Sequence, residues 1–198
     1  EVGADARPVI GLSDTVFDVN ITPDRGYALS ARGLSREIAS ALDLDFSDVA
    51  ENPQLAGLSV TVPDVSGDLL SVELRPETKA LRFGLRKVSG IDPTVESPWW
   101  LQRELMLCGQ RPVNAATDVT NYLMLLLGQP MHAFDADHIT GDLVVRCAAE
   151  GEKLTTLDDV QRELHADDVV ICDDSGVQSL AGVMGGSTSE ISDTTTDV

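Results

Sequence analysis

The sequence predicts an α+β fold: a mixed α/β unit with a β-sandwich-like core of short strands and about three helices. Three observations carry this. Apolar and polar residues alternate in several short stretches, as in half-buried strands. Three longer stretches place apolar residues at helical spacing behind capping residues. Helices fall early and centrally, and strand-like stretches fill the C-terminal third.

The elements follow in chain order. Phe17, Val19 and Ile21 alternate with Asp18 and Asn20, which predicts a strand, and "TPDRGY" supplies turn residues after it. Ser30 is placed to cap a helix whose Leu34, Ile38, Ala41 and Leu42 share one face. From Glu51 to Gly90, short alternating stretches punctuated by Pro, Gly and Asp predict further strands. A second helix is expected from Ser97-Pro98, with serine as cap and proline in the first turn. It carries Trp100, Leu101, Leu105 and Cys108 and stops at Gly109. A third covers about Val119 to Leu127, with Thr120, Asn121 or Asp118 as caps and Gly128 and Pro130 ending it. Beyond His132, "DLVVRCA", "EKLTTLDD", "DDVVICDD" and "QSLAGVMGG" read as strands. The whole is expected to be one module over 1–198, with 1–15 and 190–198 as linker-like edges.

Composition narrows the function. With 14 basic against 33 acidic residues the net charge is −19, so this surface repels phosphate backbones and any RNA reaching it must be held mainly elsewhere. The longest uncharged apolar run, Tyr122 to Leu127, is far too short for a membrane span, and no signal peptide is visible. Cys108, Cys147 and Cys172 are odd in number and set among apolar neighbours, which fits buried free thiols in a reducing cytoplasm. The termini, Glu1 and a Thr/Asp-rich tail, fit a piece of a larger protein.

Candidate chemistry centres on "DVTNYLMLLLGQPMHAFD". His132 lacks the partner spacing of a zinc site, since "HAFDADH" matches neither HExxH nor paired Cys/His patterns, and no metal is expected. No nucleophile elbow accompanies it. Thr120, Asn121 and Asp118 are more capping groups than one helix end needs, which leaves some free to face a pocket. The glycines of "SLAGVMGGSTSE" lack the lysine of a phosphate loop. They read equally as a turn and as a pocket wall where a substrate meets bare backbone.

In order, "FDVNITPDRGYALSARGLSREIA", "SPWWLQRELMLCGQRPVNAATDVTNYLMLLLGQPMHAFD", "EKLTTLDD" and "LAGVMGGSTSEISDTTTDV" resemble the tRNA-editing module of bacterial phenylalanine–tRNA ligase β subunits, over about Val16 to Val198. The resemblance implies an α/β unit around a β-sandwich-like core. It also implies a hydrolase that clears tyrosine misattached to tRNA(Phe), within an α2β2 ligase whose α subunit holds the synthetic site and uses ATP and magnesium. No cofactor is implied for this chain. Its partners would be the aminoacyl end of tRNA(Phe), the α subunit and the rest of the β subunit. Thr120 and His132 would orient the ester and a water as catalytic residues, with Asn121, Ala181 and Gly182 binding substrate. Two departures stand out. Leu126 occupies a position that is acidic in the family motif, and the family's tyrosine-selecting glutamate is expected about three residues past Val198. The alternatives are a non-catalytic scaffold or docking module sharing the fold, and a free-standing deacylase for another misacylated tRNA.

Overall fold

The computed structural model describes residues 2–59, 61, 64, 65, 67 and 71–198. It divides into two compact units: Glu1–Asp64 with Glu96–Met131, and Val65–Val95 with His132–Val198. Among the described residues it contains three α-helices and seven short strands, the α+β arrangement predicted.

The first unit is helical. Its helices are α1 (Ala31–Leu42), α2 (Trp99–Leu107) and α3 (Ala115–Leu127). Ser30 caps α1 as expected, its side chain accepting the Gly33 N–H, and Asp43 in the left-handed region ends the helix. A bidentate pair between Arg32 and Asp48, at 2.8 and 2.6 Å, ties the chain beyond α1 back onto it. The other two caps differ from expectation. Pro98 occupies the cap position of α2, and Asn114, not Asp118 or Thr120-Asn121, caps α3 by accepting the Thr117 N–H. The reason is a buried network. Asp118, 1% exposed, accepts the Ser97 hydroxyl at 2.6 Å and the Val113 N–H at 2.8 Å, and this fixes the entries of both helices. α2 buries Leu101 and Leu105, and Trp100 meets Tyr122 edge to face at 5.5 Å.

The predicted strand at Phe17–Ile21 does not form. These residues join no ladder among the described residues, and Phe17 is 80% exposed, because alternation alone supplies no partner for the backbone. Part of the edge expected to be linker-like is fastened. The Trp99 indole donates to the Ile10 carbonyl, and Arg103 holds Gly11 O and the Asp14 carboxylate. Ile38 and Leu42 of the expected buried face of α1 are exposed, and the helix instead buries Gly33 and Ala39.

The second unit is built on a five-stranded sheet in the order β1 (Val72–Leu74), β2 (Leu143–Cys147), β5 (Val169–Asp173), β6 (Gly176–Leu180) and β7 (Met184–Gly185). A separate hairpin pairs β3 (Lys153–Thr155) with β4 (Gln161–Glu163). β1 runs parallel to β2, and the other neighbours are antiparallel. Along β5, Val170 and Cys172 point to one cluster with Leu154 and Leu164, while Ile171 joins Leu143, Val145 and Phe83 in another. The sheet is therefore apolar on both faces. Of the strands expected between Glu51 and Gly90, Val72–Leu74 forms, 81–88 runs outside any ladder and Ser89 makes one bridge to Asp197. Residues 60, 62, 63, 66 and 68–70 of that stretch lie outside the described residues.

The tail 190–198, expected as an edge, is tied in. Thr195 is buried, and Val88 and Val198 exchange both backbone hydrogen bonds. All three cysteines are free, but Cys172 is buried while Cys108 is exposed and Cys147 lies between, so the uniform burial expected of them holds for Cys172 alone. Burial pushes the Cys172 thiol up to about 11. Among the described residues no helix is long and apolar enough to cross a membrane.

Asp118→Ala strands the buried Ser97 hydroxyl and frees the Val113 N–H, and should lower stability by about 2 kcal/mol in urea unfolding. Ser30→Ala should cost about 1 kcal/mol. Adding Ser97→Ala to Asp118→Ala should cost less than the two separate losses combined, because both act in one network. Iodoacetamide at pH 8 should label Cys108 in the folded protein and spare Cys172, as read by peptide mass spectrometry.

Candidate functional site

The structure distributes the five predicted site residues over two units. Thr120 and Asn121 sit inside the first two turns of α3 in the first unit, both half-buried. The Thr120 hydroxyl donates to the Thr117 carbonyl at 2.8 Å within its own helix. It is therefore neither a cap nor, in this state, turned to a partner outside the helix.

His132, Ala181 and Gly182 belong to the second unit, and one hairpin organises them. β6 and β7 pair Ser179 with Gly185 and Leu180 with Met184, leaving Ala181, Gly182 and Val183 as the turn. The Ala181 N–H donates to Val169 O, and its methyl packs on the cluster holding Ile171 and Phe134. Gly182 has φ +71°, a left-handed conformation, and a Cβ built there would meet nothing within 4 Å. Of the two readings of the glycine block the structure shows the turn, with the Gly182 backbone facing open space.

The His132 ring lies against the same hairpin. A Cβ added to Gly185 would fall 2.3 Å from His132 Cε1, so the absence of a side chain there is what lets the imidazole rest on β7. Leu157 flanks this contact, its N–H donating to the Gly185 carbonyl at 3.1 Å. Phe134 meets the imidazole edge to face at 4.6 Å. The residue still reaches solvent, yet this apolar crowding lowers the pKa of His132 below its ordinary value of 6.5. The neutral ring carries one donor and one acceptor nitrogen at neutral pH, suited to orienting a water.

Residue patterns missed three contributors. Phe134 and Leu157 have no part in the site as read from the sequence. Asp135 is weighed there only as a metal partner for His132, but it is 4% exposed and fully engaged in hydrogen bonds. Its backbone N–H donates to Ser189 O at 3.0 Å, and its carboxylate accepts the Thr195 hydroxyl at 2.5 Å and the Asp137 N–H at 3.0 Å. The signal available in the sequence was an acid amid "HAF" and "AD" beside a Thr-rich tail, which says nothing about who meets whom.

Two shallow grooves flank α1 in the first unit, one lined by Ile38, Leu44 and Phe46 and the other by Phe46, Val49, Leu55 and Leu126. Leu126, at the position that is acidic in the motif, thus packs on an apolar groove. Among the described residues no group of three or more His, Cys, Asp or Glu side chains is arranged to hold a metal ion.

Residues 79–198 match the family described as B3/4 domain. Over its full length the chain is 74% identical to the phenylalanine–tRNA ligase beta subunit of Corynebacterium glutamicum, of which it covers 24%. It is 49% identical to that of Mycolicibacterium paratuberculosis and 44% identical to that of Thermobifida fusca, covering 23% of each. The chain therefore spans about a quarter of the length of these curated relatives. Among solved structures, the N-terminal fragment of the phenylalanyl-tRNA synthetase beta-subunit from Pyrococcus horikoshii shares the fold. Its TM-score is 0.51 at 15% identity, over 93% of this chain and 56% of that one.

Burial that lowers the His132 pKa has a definite sign. The unfolded chain takes up the proton first as pH falls below about 6.5, so the folded state loses stability from there down to the lowered folded pKa. His132→Gln should remove that contribution. Urea unfolding of both proteins between pH 8 and 5 should show wild type losing stability relative to the variant as pH falls.

Proposed function

This chain belongs to the B3/4 domain family, and from that premise we propose that it is the editing module of a phenylalanine–tRNA ligase β subunit, hydrolysing tyrosine misattached to tRNA(Phe). The observation that supports this best is the β6–β7 hairpin, which joins a backbone-walled turn at Ala181-Gly182 to a neutral imidazole resting on Gly185. An aromatic amino acid can slide against bare backbone where a side chain would block it. The hydrolysis itself asks little of the protein. Water attacks the ester carbonyl, a proton leaves the water, and the terminal ribose oxygen departs carrying a proton.

In this reading His132 positions the water and the ester and does not attack. Its neutral form accepts a hydrogen bond from water at physiological pH, and the neighbouring ribose hydroxyl is near enough to the ester to assist. Ala181 and Gly182 contact the tyrosyl group. A positioning task is assigned to Thr120 and Asn121 on α3 through the motif they occupy, and each is tested by its own alanine variant. Serving Thr120 in this way requires its hydroxyl to leave the Thr117 carbonyl, which costs one helix-internal hydrogen bond of about 1 kcal/mol.

An energetic need supports the reading. An apolar synthetic pocket rejects an added hydroxyl only about a hundredfold. A second site that hydrogen-bonds the hydroxyl spares phenylalanine, whose presence would leave polar groups unpaired. The net charge of −19 disfavours phosphate binding by this surface, and in this reading the α subunit and the rest of the β subunit hold most of the tRNA. The setting is then the cytoplasm, with ATP and magnesium used at the synthetic site of the parent enzyme.

The test uses the complete ligase carrying Gly182→Trp. Hydrolysis of tyrosyl-tRNA(Phe) should fall about a hundredfold, the scale of a misplaced substrate, while phenylalanine charging persists. Undiminished hydrolysis would sink the pocket assignment and leave a non-catalytic scaffold as the better description.

A further inference from the structure

Asp135 is joined to the last stretch of the chain at two points. Its N–H holds Ser189 O at 3.0 Å, and its Oδ2 takes the Thr195 hydroxyl at 2.5 Å, with both carboxylate and hydroxyl out of solvent. The next residue continues the clasp, Ala136 N–H donating to Asp197 O at 2.9 Å. Asp197 is itself held by the Gly90 N–H, the Ser89 hydroxyl and the Lys87 ammonium. His138 Nδ1 stands 3.4 Å from the same Asp135 oxygen from the solvent side.

Three residues before Asp135, the His132 ring rests on Gly185, and four residues after Gly185 comes Ser189, whose carbonyl Asp135 grips. The loop from His132 to Asp135 and the strand end from Gly185 to Ser189 are thus pinned to each other at both ends. Without the Asp135 carboxylate the ring keeps its contacts with Gly185 and Phe134, and the loop keeps its backbone bonds to Ser189 and Asp197. The tie to the Thr195 side chain is lost.

We propose that Asp135 is a positioning residue for His132, clasping the loop that carries it to Ser189 and Thr195. The inference deepens the editing reading and rests on it for its catalytic consequence, but the positional claim stands on this geometry alone. The carboxylate is suited to the task because it accepts from the Thr195 hydroxyl and the Asp137 N–H on separate oxygens. Asparagine retains one such oxygen and keeps the size, whereas alanine retains neither.

Two readouts on the complete ligase separate the claims. Diethyl pyrocarbonate acylates exposed neutral imidazoles, and peptide mass spectrometry gives the rate at His132 relative to exposed His165. Asp135→Ala and Thr195→Val should each raise that relative rate severalfold, with Asp135→Asn staying near wild type. Rates unchanged in both variants overturn the proposal. Tyrosyl-tRNA(Phe) hydrolysis gives the second readout, with phenylalanine charging reporting intact assembly. Asp135→Ala should slow hydrolysis by up to about a hundredfold, and should slow it no further in a His132→Ala background. An additive further loss shows that Asp135 does not act through His132 and overturns the inference. Where His132→Ala itself leaves hydrolysis intact, the editing role given to His132 falls, and the labelling rate alone decides the positional claim.

Discussion

Everything in the second unit depends on β5 being apolar on both faces. Val170 and Cys172 look one way and Ile171 the other, so the strand gains burial only if both faces are covered. The β3–β4 side supplies Leu154 and Leu164 to one face, while β2 supplies Leu143 and Val145 to the other with Phe83 and Phe134. Once β5 is enclosed, β6 is set by its hairpin to β5 and β7 by its hairpin to β6. The turn at Ala181-Gly182 and the bare Cα of Gly185 are consequences of that sequence of pairings. Asp173 secures the first hairpin by accepting from the Ser175 and Gly176 N–H groups and the Gln178 amide.

Much of this was readable where one local preference acted alone. Ser30 capped α1, the three helices appeared near their expected places, and each C-terminal strand stretch gave strand, though the last is a hairpin of β6 and β7 and β4 was not foreseen. Reading failed where two local preferences competed. Asp118 has the chemistry of a cap, but burial beneath two helix entries made it a hub for Ser97 and Val113 and left capping to Asn114. Phe17, Val19 and Ile21 have the alternation of a strand, but a strand needs a neighbour and alternation does not name one.

The candidate site divides along the same line. The glycines and His132 stood out because their residue types are unusual in apolar surroundings. Phe134, Leu157 and Asp135 did not, because their contribution lies in which distant residue each one meets. Asp135 and Thr195 stand 60 positions apart, a relation that no local pattern encodes. The same applies to Gly185, whose role is visible only once the imidazole is seen lying on it. Residue types thus marked the candidate site residues and passed over the neighbours they rest on.

The parallel pairing of β1 with β2 has a consequence for how the protein is made. Val72 aligns with Leu143, and the Ser71 N–H reaches Asp142, 71 positions on. Between them the chain builds α2 and α3, which belong to the other unit. During synthesis β1 therefore emerges from the ribosome long before its partner exists, and it waits while two helices of a different unit are produced. Closing so long a loop is slow compared with zipping the β5–β6 hairpin. The newborn chain accordingly passes through a period in which its helices can form while a lone apolar strand stays unpaired, the interval in which it is most open to chaperones and to mispairing.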